Sequence, residues 1–385
     1  MENLSAAELI QLIRSVFPAR DEDRRLAILA DVPRAADADN EDWRRRRRIA
    51  GDWLVALAPR AADLGLEEVV LVAYPDVGSN NADLPEDGFR LPVHTPVPDA
   101  AAELDGVGDR VPFADIFAGT QLFLAPTEYS TTAPLKNAAR QYGFRAATMP
   151  GFSPRMLPAL RIDYTEVNRR VQLLKERLDR AQWADVHFLV DDRDEHRLFF
   201  DLRWRSAHAS SGRFPDQGVA GNLPSGETYI VPYEGERDEE PSRTCGTLPV
   251  QIGAELVVFT IEENRAVAVT GEGETLRRER AHLLREPAYG NMAEVGFGIL
   301  GDFGLEPIGE ILLDEKLGFH IAFGRSDHFG GMVGPGDFSS PQAVIHLDQI
   351  YIPATQPRVL VTAIELGYED ESGEIILEDG EYLVF

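Results

Sequence analysis

Four stretches in the second half of the chain place ionisable residues where a folded protein would more easily use neutral ones. In IHLDQIY, His346 and Asp348 stand two apart. Side chains two apart on a strand share a face, so these project together with Ile350, while Ile345 and Leu347 turn the other way, towards a core. In DEKLGFHIAFG, Phe319, Ile321 and Phe323 alternate with His320 and Ala322, giving one apolar face and one that carries His320. Glu315 precedes His320 by five residues across Gly318, which lets the backbone bend and return the carboxylate towards the imidazole. Glu227 follows a Pro-Ser-Gly turn in GNLPSGETYIVP, and Glu294 in AEVGFGILG precedes two glycines that can bring backbone close to a ligand. Each stretch alone also fits a structural role, such as an aspartate orienting a buried histidine or a glutamate at a strand edge.

Taken together they have a charge property that none has alone. Three glutamates and one aspartate carry four negative charges, which two divalent cations balance. Crowded without metal, the carboxylates would repel and raise one another's pKa. Two ions roughly 3.5–4 Å apart can hold a water between them, acidify it and polarise a carbonyl. Imidazole with carboxylate, and no sulfur, suits zinc, cobalt, manganese or iron.

The order and spacing of these residues resemble the aminopeptidase T type of dinuclear metalloaminopeptidases. GNLPSGE looks like the segment with that family's first glutamate; Glu294, the Glu-x-x-x-x-His element Glu315/His320 and the His-x-Asp element His346/Asp348 follow in order. STTAPLKNAARQYGFRAATMPGF is similar to the strand and turn that end the family's N-terminal domain, and SGEIILEDGEYLVF to its C-terminal end. The resemblance covers about residues 120–385 well and residues 1–115 only in general pattern. It implies two divalent ions held by Glu227, Glu294, Glu315, His320, His346 and Asp348, with one carboxylate bridging. It also implies hydrolysis of the N-terminal residue of peptides, a proton shuttled by Glu294 or Glu315, and a homodimer. One position departs: the family's tyrosine, seven residues after the histidine of the Glu-x-x-x-x-His element, is here Asp327, followed by His328. An ionised aspartate cannot donate to an oxyanion, but a histidine can, which makes His328 a catalytic candidate. Two alternatives stay open. A ring-cleaving dioxygenase of dihydroxypyridines resembles the same superfamily and would use one iron on His320, His346 and Asp348. The other is a non-catalytic peptide-binding relative.

To position these residues the chain must build two kinds of sheet. Its 385 residues exceed one compact core. Helices expected near 5–16, 41–58 and 133–142 alternate with strands at Leu26–Ala30, Glu68–Ala73, Gln121–Ala125 and Arg145–Met149, indicating an α/β domain with a parallel sheet over 1–160. A Pro/Asp/Gly-rich stretch, 75–110, interrupts it. From 161 to 385 the pattern is α+β, mostly antiparallel: a helix over Tyr164–Ala181, strands at Val186–Val190 and Leu198–Trp204, a hairpin of Leu256–Ile261 with Ala266–Thr270, a helix near 275–285 and a closing hairpin.

A net charge of -27 argues against nucleic acid or anionic membranes as partners. The arginines Arg44–Arg48 alternate with Trp43, Ala50, Trp53, Leu54 and Leu57 at helical spacing, so they are expected to decorate a helix surface beside Glu41, Asp42 and Asp52. No apolar run reaches the roughly 18 residues of a membrane span, and the acidic N-terminus lacks a signal-peptide pattern. With a single cysteine, Cys245, and hence no internal disulfide, a cytoplasmic location is expected. The partner is then a peptide or small-molecule substrate. No Gly-x-Ser-x-Gly occurs, the glycine pairs lack the lysine of a phosphate loop, and His94, His187, His196, His208 and His282 have no partner pattern.

Overall fold

The computed structural model describes residues 3–385. The chain divides into two compact units, Met1–Asn168 with Gly212–Ser225, and Arg169–Ser211 with Gly226–Phe385.

The first unit is built on a seven-stranded sheet in the order Val219–Asn222, Arg145–Pro150, Leu122–Thr127, Arg25–Val32, Glu68–Pro75, Asp87–Leu91, Asp109–Pro112. The first five run parallel and the last two pair antiparallel at one edge. The central strand, RLAILADV, is buried along almost its whole length, as a strand covered on both faces requires. Each fully buried Leu or Ile there contributes about 1.5–3 kcal/mol. Two of these strands, Asp87–Leu91 and Asp109–Pro112, lie in or beside the Pro/Asp/Gly-rich stretch where none was expected; both are short, the first mostly buried and the second mostly exposed, and neither carries an apolar run. The strand Val219–Asn222 falls in the sequence region assigned to the second domain, yet it pairs with Arg145–Pro150 and joins the first unit.

Helix Glu41–Leu57 starts at Asn40, whose side chain accepts from the Trp43 amide. Its arginine run does not all face solvent. Arg46 and Arg47 are buried; Arg47 pairs with Asp39 and Asp99, and Arg46 with Glu128 and the Phe152 carbonyl. A buried guanidinium is tolerated only when so paired, and Glu128 and Asp99 come from segments remote in sequence. Arg44, Arg45 and Arg48 remain outside and share Glu41.

The second unit holds two antiparallel sheets. The larger has eight strands, from Arg265–Gly271 through Glu255–Glu262, Cys245–Ile252, Asp194–Asp201, Ala181–Val190 and Val359–Tyr368 to the closing hairpin Gly373–Glu378 and Glu381–Tyr382. The smaller has five, in the order His346–Ile350, Phe319–Gly324, Met292–Gly298, Glu227–Ile230, His208–Ser210. The fold is thus α/β with a parallel sheet, plus α+β with antiparallel sheets. Phe319, Ile321 and Phe323 do form the apolar face of their strand: Phe323 meets Phe259 of the larger sheet at 5.0 Å and Phe319 meets Tyr351 at 5.9 Å between ring centroids. That packing fixes the opposite face of the small sheet, which carries the ionisable residues. No helix among the described residues is long and apolar enough to cross a membrane.

Candidate metal centre

One face of the five-stranded sheet gathers residues that are far apart in sequence. Directly opposed pairs in an antiparallel ladder share a face. Glu227 lies opposite Gly298, and Tyr229 opposite Gly296; Gly296 in turn faces His320, and Glu294 faces Ala322, which faces Asp348. Large ionisable side chains therefore alternate with glycine or alanine on the next strand. The two glycines after Glu294 were expected to admit a ligand. They instead admit neighbours of the site: a Cβ at Gly296 would collide with the His320 ring, and one at Gly298 with the backbone of Lys316.

Two groups of ligand atoms result, each within 4.8 Å: Glu227, Glu294 and His320, and Glu294, His346 and Asp348. Glu294 belongs to both. Its Oε1 lies 3.4 Å from His320 Nε2, and its Oε2 lies 3.2 Å from His346 Nε2. His320 Nε2 is also 3.7 Å from Glu227, and His346 Nε2 is 3.6 Å from Asp348. Behind them, each Nδ1–H donates to a backbone carbonyl, that of Gly318 for His320 (3.2 Å) and that of Arg325 for His346 (2.8 Å). This second contact leaves the Nε2 atoms of both rings turned inward, the arrangement of metal-ligating imidazoles. The donor set of two imidazoles and several carboxylates fits a divalent transition ion on chemical grounds as well.

Electrostatics tie these groups together. Burial alone would raise the Glu294 carboxyl, but the hydrogen bonds and charges of His320 and His346 outweigh it and hold it at about 2. Burial pulls both imidazoles down, yet the surrounding carboxylates raise His320 to about 9 and His346 to about 11. Glu315 is pushed up to about 7, by burial first and then by the charges of Glu227 and Asp348 against the opposing Lys316.

Glu315 does not return to His320. It stands outside both ligand groups and pairs with Lys316, whose Nζ also lies 3.1 Å from Glu227 Oε1. Lys316 is buried, and burial would depress its ammonium, but the charges of Glu227 and Glu315 hold it well above the ordinary lysine range. Leu347, expected in a core, is only half-buried, because the His346–Ile350 strand is the edge of its sheet.

Asp327 receives the Arg325 Nε–H at 2.5 Å, which keeps its carboxyl low and turns it into an ion-pair partner. His328 lies nearer the centre, its ring 5.3 Å from that of His346; burial, with the charges of His346 and Arg325, lowers it to about 4. A wall of rings continues from there: Phe329 stacks beside His328 and His346, then Tyr229 at 4.7 Å and His208 at 5.1 Å from Tyr229. The sequence does not single out Lys316, Tyr229 or Phe329, and His208, without a partner pattern there, stands against Tyr229 in the structure. Tyr229 was legible in principle, since it lies two residues after Glu227 on a strand and so shares its face. Lys316 had no periodic signal, because it sits in a short 3-10 turn.

No protein-family model matches the chain, and no curated protein matches it. Solved structures do. The 2,5-dihydroxypyridine dioxygenase of Pseudomonas putida is similar over 99% of each chain with a TM-score of 0.59 at 15% identity. Wild-type AmpT of Thermus thermophilus is similar over 98% of this chain and 99% of its own, with a TM-score of 0.54 at 15% identity. At such identity the likeness establishes a shared fold along the full length, and the two neighbours stand about equally near.

Proposed function

We propose that this chain is a metal-dependent hydrolase that removes the N-terminal residue from peptides. The observation that carries the reading is Glu294, whose two oxygens face separate imidazoles, each with its Nδ1–H engaged by backbone. Glu294, His346 and Asp348 would hold a divalent ion, with His320 and Glu227 on the other side of the shared carboxylate. Such an ion supplies an acidified water and polarises a carbonyl. The residues themselves account for the rest. The carboxylates make the face negative, which suits the free ammonium of a peptide N-terminus. Glu315, outside both ligand groups, is the carboxyl left to take a proton at Oε and return it to the leaving amine. Neutral His328 offers an N–H where Asp327, committed to Arg325, offers none.

The test is activity of metal-reconstituted protein on aminoacyl reporter amides, with N-acetylated versions as controls. Cleavage of the free amine form alone, abolished by chelator, is the expected result. Indifference to acetylation or to chelator removes the reading.

A second reading, a ring-cleaving dioxygenase, is favoured by the wall of rings formed by His208, Tyr229 and Phe329, a surface suited to a flat aromatic substrate. Oxygen uptake by the ferrous-loaded protein on 2,5-dihydroxypyridine, with no aminoacyl cleavage, would decide for it.

A further inference from the structure

We infer that the Lys316 ammonium takes the place of a second cation, so that the centre holds one divalent ion per chain. The inference rests on the metal-dependent reading above and concerns how many ions the site accepts. Lys316 Nζ lies 3.1 Å from Glu227 Oε1 and is paired with Glu315 as well. Glu227 belongs to the group, with Glu294 and His320, that a second ion would use, and Glu315 is a further carboxylate on the same ammonium. The side chain is 1% exposed, so it has no route by which to lead its charge into water.

The backbone holds it there. Lys316 lies in the turn Glu315–Leu317, whose chain passes so close to Gly298 that a Cβ at that position would collide with it. A buried ammonium stripped of its carboxylates is costly. An incoming divalent ion at Glu227 would both take that partner and bring like charge beside the lysine. The other group, Glu294, His346 and Asp348, is paired through imidazoles instead, Glu294 with His320 and His346, and Asp348 with His346.

Charge counting agrees. Glu227, Glu294, Glu315 and Asp348 carry four negative charges, and Lys316 returns one positive. With the imidazoles neutral as ligands, one divalent ion leaves the centre at -1, and two would leave it at +1. Only the first attracts a substrate that carries a free ammonium.

The experiment counts ions. Wild-type protein is stripped with chelator, reloaded with excess Mn(II) or Zn(II), desalted and measured by elemental analysis. One ion per chain is expected, rising to two in Lys316→Met, which keeps the length of the side chain and removes its charge. The Mn(II) electron paramagnetic resonance of the wild type is expected to be that of an isolated ion, a readout that does not depend on the variant folding. Two ions in the wild type, an exchange-coupled spectrum, or a single ion persisting in folded Lys316→Met would overturn the inference and leave the hydrolase reading intact. A wild-type chain that retains no ion overturns the metal-dependent reading itself and this inference with it.

Discussion

Gly296 lies directly across the ladder from His320, and a methyl group at that position would run into the imidazole Nε2. A histidine can point its ligand atom across a neighbouring strand only if that strand has no side chain there. Gly296→Ala is therefore expected to displace the His320 ring and weaken metal binding about 10–100-fold, the range seen when a ligand's support is lost. The cost of overpacking a buried site adds about 1–3 kcal/mol of lost stability. Metal affinity by calorimetry and denaturant unfolding together check this; unchanged affinity would mean that the His320 ring, against Glu294, has no part in holding the ion.

Without metal, the two imidazoles are the cations that balance Glu294. His320 and His346 are raised to about 9 and about 11, so the stability they contribute is complete below the unfolded value near 6.5 and drains away as pH rises through 9 to 11. Glu294, lowered to about 2, contributes stability that is present above about 4.5 and is lost as pH falls towards 2. The metal-free protein is thus expected to unfold more readily at both extremes. A single ion at Glu294, His346 and Asp348 must displace the His346 proton, so loading at pH 7 should release about one proton per chain. Calorimetry in buffers of different ionisation enthalpy measures that number, and no release would contradict the ligand role of His346.

Glu234 holds the loop behind the centre. Its buried carboxylate accepts from Ser326 Oγ at 2.6 Å, from Asn291 Nδ2 at 2.8 Å and from the Met332 amide. These bonds fasten the segment that carries Asp327, His328 and Phe329 to the start of the Met292–Gly298 strand. Glu234→Ala takes the acceptor from two buried donors, Ser326 Oγ and Asn291 Nδ2, at about 1–3 kcal/mol each before relaxation. Faster hydrogen exchange over 325–333 is expected, with the larger strands unchanged. Exchange that is unaffected in that loop would show that other contacts hold it.

How much of this was readable from sequence follows from what each signal depends on. His346 and Asp348 were legible because a period of two is a property of the strand itself. Phe319, Ile321 and Phe323 marked their strand's inner face for the same reason, and the packing against Phe259 agrees. Leu347 misled because alternation does not say whether a strand is central or at an edge. Arg46 and Arg47 misled because their partners Glu128 and Asp99 are supplied by distant segments. Glu315 was recognised as a chemical group, but its neighbour Lys316 decided its partner, and a lysine in a charged stretch reads as surface until the backbone around it is seen.

Tyr229 offers the last test, and it bears on chemistry rather than on metal. It shares the strand face of Glu227, and its ring is held between His208 and Phe329. Burial first, then the charges of Glu227 and Glu294, keep its phenol protonated well above the ordinary range. An uncharged O–H that cannot ionise is the kind of donor that stabilises a developing oxyanion, and Asp327 cannot serve in that way while paired with Arg325. Tyr229→Phe removes one oxygen and preserves the ring stack. Turnover on aminoacyl amides is expected to fall about 100-fold, with KM and bound metal little changed. Asp327→Asn, by contrast, should leave turnover near the wild-type value. If Tyr229→Phe turns over normally while His328→Ala does not, the donor is on the loop, and the phenol only lines the wall.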